Sequence, residues 1–152
     1  MINTKDKVIT ISEDKKVRFW NFKLLSLEKE KTISNVNCLG VNCFKVLNNN
    51  TLLSGEENGI TIIDIDKAKI IQNVRIDFLL NVYSIWIMDN NCILCGCKQY
   101  FAQFKFSFER LTYVMKKSIE HTDRVTAITG NDIVFYSVGH DSLIKSWNIY
   151  YK

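Results

Sequence analysis

The fold of this chain is decided by residues 121–147, which read HTDRVTAITGNDIVFYSVGHDSLIKSW. Three short runs rich in apolar residues lie in or just beyond this stretch, at 125–129, 133–138 and 143–149. They are separated by Gly130-Asn131-Asp132 and by Gly139-His140-Asp141-Ser142, residue types that favour tight turns. Side chains of the third run alternate with a period of two, as expected of a β-strand. The stretch therefore predicts a three-stranded meander.

The same spacing recurs near the other end of the chain. Thr10, Asp14 and Trp20 are separated by four and then six residues, as are Ser137, Asp141 and Trp147. One third of the distance between the two aspartates is about 42 residues, the period of four-stranded repeats. Two weaker copies are expected between them, with Ser54 and Asn58 in one and Cys95 and Gln99 in the other, both without Trp. In the first of these copies the Trp position falls near Ile63 or Asp64. The predicted repeats cover 1–33, 34–76, 77–119 and 120–152 of one domain, 1–152.

These residues resemble the WD-repeat (WD40) β-propeller family, whose repeat combines an early His, a Ser, an Asp in a tight turn and a Trp that ends the third strand. The resemblance implies that His121, Ser137, Asp141 and Trp147 form a structural hydrogen-bond network. The shorter set in the first repeat is Thr10, Asp14 and Trp20. The resemblance to the family also implies an outer fourth strand in each of the first three blades, at 23–33, 67–76 and 108–119. On propensity alone, 23–33 and 110–119 can also be interpreted as short helices.

The register of the repeats predicts an all-β partial WD40-type β-propeller. The chain enters within an inner strand at about Ile2 and finishes after a third strand at Ile149, which gives about 3.5 four-stranded antiparallel blades, or half of a propeller. The alternative is a closed ring of four blades. In the half-propeller, Trp20 and Trp147 are expected to be buried between blades. Its two flanks should expose apolar surface around four positions: Ile2, Val8, Ile144 and Ile149.

Composition excludes several classes of function. The 152 residues include 20 basic and 16 acidic residues, and the basic ones are scattered, so nucleic-acid binding is not predicted. No apolar run approaches the roughly 20 residues of a membrane span. Five cysteines are an odd number for a secreted disulfide framework. The chain is expected to be intracellular and cytoplasmic, with the nucleus or a cytoskeletal or ciliary complex as further locations.

Candidate chemical sites are few. His121, Ser137 and Asp141 are the residue types of a hydrolase triad, and a small hydrolase-like enzyme using His121 or His140 is the alternative function. The Cys92-x-x-Cys95-x-Cys97 stretch could suggest zinc, but side chains alternate along a strand and no second cysteine pair follows. No glycine precedes a phosphate-loop Lys-Ser or Lys-Thr. Hence neither a cofactor, nor a metal, nor an enzymatic activity is predicted.

The predicted function is a non-catalytic protein–protein interaction scaffold or adaptor, a subunit or part of a subunit of a larger complex. Its partner would be a protein, including the remaining half of the propeller or a second copy, and neither a membrane nor a nucleic acid. Loops between second and third strands emerge at one end of every blade. The residues predicted to bind a partner there, together with one residue just before the last repeat's first strand, are Lys15, Glu57, Lys98, Arg124 and His140.

Overall fold

The computed structural model describes residues 2–4, 7–12, 14, 16–21, 23–33, 40–57, 59–75, 81–88, 91–107, 110–118, 121–131 and 133–148. Within these ranges the chain forms fifteen β-strands in four antiparallel sheets. None of the described segments is a helix that could cross a membrane. The predicted all-β fold class is confirmed.

The four sheets follow one another along the chain, and each is called a blade. Blade 1 contains β1 (Ile2–Thr4), β2 (Lys7–Ile11), β3 (Lys16–Asn21) and β4 (Ser26–Thr32). Blade 2 contains β5 (Cys43–Asn48), β6 (Thr51–Glu56), β7 (Gly59–Asp64) and β8 (Lys69–Arg75). Blade 3 contains β9 (Ser84–Ile87), β10 (Cys92–Gly96), β11 (Tyr100–Ser107) and β12 (Arg110–Ser118). Blade 4 contains β13 (Val125–Gly130), β14 (Val134–Gly139) and β15 (Ile144–Asn148).

The outer segments that could have been short helices are strands. β4, β8 and β12 each pair with the preceding strand of their blade. Pairing satisfies the backbone of these segments and of the third strands beside them, which outweighs a weak local helix propensity. Of the residues at helical spacing in 23–33, Leu24 lies in the turn before β4 and Leu27 lies in β4, and both are exposed.

Strand register shows what replaces Trp in the middle blades. Trp147 lies opposite Phe135, two residues before Ser137. The same position is occupied by Ile63 in blade 2 and Phe104 in blade 3, and both are fully buried. Asp64, the other sequence candidate, is one residue further on. Trp20 and Trp147 themselves are half-buried, so the expectation that both rings are buried is wrong.

Neighbouring blades pack through three apolar clusters. Alternate residues of the second and third strands face the next blade, because side chains point to opposite faces of a sheet. Ile9 and Val17 of blade 1 thus share a cluster with Leu52 of blade 2. The contact between blades 2 and 3 joins Leu53, Ile60 and Ile62 to Ile93, Cys95 and Phe104. Leu94 and Phe101 of blade 3 meet Val125, Ile128 and Phe135 of blade 4.

Blade 4 has an uncovered flank, here called the trailing flank and defined by Tyr136, Val138 and Ile144. Ile144 is 74% exposed, whereas its register equivalents in blades 1 to 3, Val17, Ile60 and Phe101, are at most 2% exposed. A closed four-blade ring would cover this flank, so the structure is that of the open half-propeller.

The opposite flank of blade 1, the leading flank, is defined by Val8, Thr10, Arg18 and Trp20. Exposure of Val8 was expected, but the residue is buried, directly opposite Trp20 on the same face of the sheet. A cross-strand neighbour as large as an indole ring is sufficient to shield a valine. The side chains of Ile2 and Ile149 lie outside the described residues.

Candidate functional site

The predicted network of blade 4 comes together in the structure. His121 precedes β13, Ser137 lies in β14, Asp141 lies in the β14–β15 turn and Trp147 lies in β15. His121 Nδ1 is 2.8 Å from Asp141 Oδ2, and His121 Nε2 is 2.8 Å from Ser137 Oγ. Trp147 Nε1 donates to the same Ser137 Oγ at 2.7 Å. Four side chains far apart in sequence therefore form one continuous chain of hydrogen bonds.

Chemistry fixes the direction of this chain of hydrogen bonds. An indole N–H can only donate and a carboxylate can only accept. Ser137 therefore accepts from Trp147, and His121 Nδ1–H donates to Asp141. In a neutral imidazole, Nε2 then accepts from the Ser137 hydroxyl. Every buried polar atom of the network is satisfied in this arrangement, and satisfied buried networks stabilise one unique structure.

Asp141 also orders the backbone around the network. Its carboxylate accepts from the amides of Thr122 at 3.0 Å and Leu143 at 3.2 Å. The β14–β15 turn has Ser142 in the left-handed region, with φ of 64°, as in three-residue hairpin loops. Asp141 thus ties the loop before the first strand to the turn between the second and third strands.

No room remains for a substrate beside the triad-like residues. The His121 side chain is fully buried, and Ser137 is also inaccessible. A Cβ at Gly139 would lie 2.4 Å from Asp141 Oδ1 and 2.5 Å from His121 Nδ1. A serine nucleophile must reach its substrate, and the Ser137 hydroxyl is enclosed on all sides.

The ionised form of Asp141 is favoured in the folded protein. Desolvation by burial raises the pKa of Asp141, but hydrogen bonds from His121, Thr122 and Leu143 together outweigh that effect, so its pKa lies below the ordinary value. A carboxyl group with a depressed pKa in the folded state stabilises the protein above its unfolded-state pKa. That contribution is lost as the pH falls through the folded-state pKa.

We expect Asp141→Asn to reduce the acid sensitivity of the protein. The wild type should lose stability as the pH falls below about 4, where aspartate is protonated in the unfolded chain. The difference in urea midpoint between wild type and variant should be largest near neutral pH and shrink in acid. Urea titrations from pH 3 to pH 7 measure it, with Asp66→Asn, at an exposed aspartate in a turn of blade 2, as the control. A difference in urea midpoint that does not change with pH would contradict the role assigned to the Asp141 carboxylate.

Blade 1 has half of the network. Trp20 Nε1 donates to Thr10 Oγ1 at 2.9 Å, as Trp147 does to Ser137. Asp14 instead accepts from Arg18 Nη2 at 2.5 Å, and this hydrogen bond is the largest cause of its lowered pKa. Arg18 Nε also donates to Glu30 at 2.7 Å. An exposed charge cluster thus takes the place of the buried histidine.

The described residues of the middle blades do not form this network, and their turn between the second and third strands is one residue shorter. β6 and β7 pair up to Glu56 and Gly59, which leaves a turn of two residues where blade 4 has three. The hydroxyl of Ser54, the Ser137 equivalent, is buried without a hydrogen-bond partner among the described residues. Asn58 lies outside those residues. In blade 3, Gln99 is exposed and donates to the carbonyl of Thr122 at 2.9 Å.

Two of the three cysteines in the Cys92–Cys97 stretch, Cys95 and Cys97, are buried, and Cys92 is half-buried. Cys95 and Cys97 lie in the cluster between blades 2 and 3, and Cys92 accepts from Gln103 Nε2 at 2.8 Å. Burial raises the pKa of Cys43 to about 12 and that of Cys95 well above its usual range. A thiol held protonated is neither a nucleophile nor a ligand. Among the described residues no three His, Cys, Asp or Glu side chains are grouped as a metal site.

The residues predicted to bind a partner are exposed at the ends of blades 2 to 4. Glu57, Lys98 and His140 lie in turns between second and third strands, and Arg124 directly precedes β13. This set is called the rim. Lys15, the fifth predicted member, lies outside the described residues.

Contacts at the rim join blades 3 and 4. The His140 amide donates to the Arg124 carbonyl at 2.9 Å, and the Arg124 guanidinium lies 5.7 Å from the centre of the Tyr83 ring. His140 Nδ1 is 3.5 Å from Asp123 Oδ2. The backbone hydrogen bond from Arg124 is the largest cause of the lowered pKa of Asp123. Tyr83 and Asp123 were missed from the sequence, because no local motif brings the start of β9 beside the start of β13.

Comparison with known proteins agrees with this geometry. The chain superposes on the WD40 β-propeller domain of Doa1 with a TM-score of 0.75 at 16% identity, covering 95% of this chain and 47% of that one. A chain in the crystal structure of the mitotic checkpoint complex gives 0.73 at 16%, covering 96% and 48%. The computationally designed Ika4 protein gives 0.62 at 17%, covering 97% and 88%.

The fold is that of half a WD40-type propeller. The described chain spans about half the length of the two natural propeller chains, as an open fan of between three and four blades should. No family model and no curated protein sequence matches the chain. The similarity is therefore one of fold, carried by the blades and the blade-to-blade packing.

Proposed function

We propose that this protein is a non-catalytic scaffold that binds a protein partner through the rim. The observation that carries the proposal is that His121 and Ser137 of the network are buried from solvent. The residues that resemble a catalytic triad are enclosed and hydrogen-bonded to one another, whereas the charged side chains of the rim are exposed. Rigid strands that present charged loops are suited to binding.

The network supports binding at the rim by ordering its loops. Asp141 fixes the turn that carries His140, and it also holds the amide of Thr122 two residues before Arg124. Loops that are ordered before binding lose less conformational entropy on association. The buried network would thus favour binding at the rim by ordering its loops, without catalysing a reaction.

The partner chemistry follows from the charges of the rim. Arg124 and Lys98 are basic and His140 is near them, so blades 3 and 4 favour an acidic protein surface. One structural neighbour is a chain of a multi-protein assembly, the mitotic checkpoint complex, which supports a protein as partner. We infer an intracellular location from the cysteine content of the sequence.

Charge reversal tests the rim. The variant Lys98→Glu, Arg124→Glu and His140→Glu should weaken capture of the partner at least tenfold in an affinity pull-down calibrated by titration, because steering and rim contacts are lost. Its melting temperature should stay close to that of the wild type. The matched control reverses Lys23 and Lys69, exposed lysines that lie near turns at the opposite end of the blades. A partner that is lost with the control and retained with the rim variant would place the site at the other end.

A further inference from the structure

The trailing flank of blade 4 has the features of an internal interface with one half missing. Tyr136 and Ile144 stand at the register positions of Leu94 and Phe101 in blade 3 and of Leu53 and Ile60 in blade 2. In both inner blades these residues are buried against the next blade. The described positions on this face of blade 4 carry no charged residue. The flank therefore matches a surface that this chain covers elsewhere with a blade.

The leading flank of blade 1 has the features of the other half. Its Thr10, Arg18 and Trp20 occupy the positions of Ser137, Lys145 and Trp147 in blade 4. There, the Trp147 ring meets the Phe101 ring of blade 3 edge-on, with ring centres 5.6 Å apart. Both faces also have the same hydrogen bond from an indole to a hydroxyl. The leading flank thus resembles a face that already packs on a trailing-type face within the same chain.

Charge does not oppose such a contact. Arg18 on the leading flank is paired with Asp14 and Glu30, and Lys16 is also paired with Glu30. Burying a paired cation beside an apolar face is far less costly than burying an unpaired one. Blade 4 itself places Lys145, half-buried, at the equivalent position.

We propose that two copies of this chain assemble head to tail, with the trailing flank of one copy on the leading flank of the other. Ile144 of one copy then packs beside Trp20 of its partner, as Phe101 packs beside Trp147 within the chain. Heterologous contacts of this kind close into a ring when the rotation fits. The WD40 propeller domain of Doa1 that superposes on this chain is about twice its length, so two copies together would match that length.

Solution mass tests the assembly. Light scattering over a range of concentrations should give twice the 17.7 kDa mass of the chain. Ile144→Asp should raise the dissociation constant about 30-fold or more, the effect of losing a buried anchor residue. Leu24→Asp is the matched control, since Leu24 is 73% exposed but lies off both flanks, and it should leave the mass unchanged. A wild type that is monomeric at every concentration, or a dimer that survives Ile144→Asp, would overturn the proposal.

Cross-linking tests the head-to-tail arrangement even if the Ile144→Asp variant used for the mass measurement folds poorly. A mixture of Ile144→Cys and Arg18→Cys copies should give a cross-linked dimer with a short bismaleimide, because the two positions face each other across the interface. Ile144→Cys alone should give no more product than the wild type, whose own cysteines set the background. Efficient cross-linking of Ile144→Cys to itself would show two trailing flanks in contact and contradict the proposal. The mass and cross-linking tests do not involve the rim residues. The dimer proposal and the proposal of partner binding at the rim can therefore fail separately.

Discussion

Trp147→Ala should lower the free energy of unfolding by about 3–5 kcal/mol, the range for removing a large aromatic side chain from a packed site. The ring stacks on Phe135, with centres 6.1 Å apart, and meets Phe101 edge-on. Its N–H also satisfies the buried hydroxyl of Ser137. The substitution removes ring packing between blades 3 and 4 and one hydrogen bond of the network together. Urea unfolding followed by far-ultraviolet circular dichroism measures the loss.

Two comparisons make this result specific. Trp20→Ala removes the same type of hydrogen bond, but the structure shows no aromatic partner for Trp20 among the described residues, so its effect should be about half as large. Val114→Ala, on the exposed outer strand of blade 3, should change stability by less than about 1 kcal/mol. Equal and small effects for all three would contradict the register of the blades. All three variants are measured in the Ile144→Asp background, so that unfolding is followed on a monomer.

His121→Ala should cost about 2–4 kcal/mol, because it leaves both the Ser137 hydroxyl and the Asp141 carboxylate without their shared partner in a buried site. The rim should loosen at the same time, since Asp141 would lose part of its anchorage. Hydrogen exchange of the amides of Thr122 and Leu143, both bonded to Asp141, should therefore accelerate.

The exposed His140 is the natural control. It is the other of only two histidines, and His140→Ala should leave stability within about 0.5 kcal/mol of the wild type. A double-mutant cycle with Asp141→Asn isolates the coupling of His121 to the carboxylate. If His121→Ala abolished a turnover while leaving the unfolding midpoint unchanged, the network would be catalytic and the scaffold proposal would be wrong.

Sequence reasoning was accurate where the signal is local. The turns at 130–132 and 139–142 and the alternation along β15 come from neighbouring residues, so the meander of blade 4 could be predicted directly. The weaker middle blades were located by the repeat period. The Trp-equivalent position of blade 2 could be narrowed only to Ile63 or Asp64, because a turn shorter by one residue shifts the spacing. That shift becomes visible only once β6 is paired with β7 and β10 with β11.

The sequence by itself determined the all-β class and the order of the four sheets, because turn chemistry and a repeating spacing are written along the chain. The residues of the His121 network were implied by the resemblance to the WD-repeat family. Tertiary structure alone decided that Val8 is buried and that the Ser54 hydroxyl lacks a partner among the described residues. It also brought Tyr83 beside Arg124. These outcomes depend on how one blade packs against the next, and contacts between segments some forty residues apart leave no local pattern to detect.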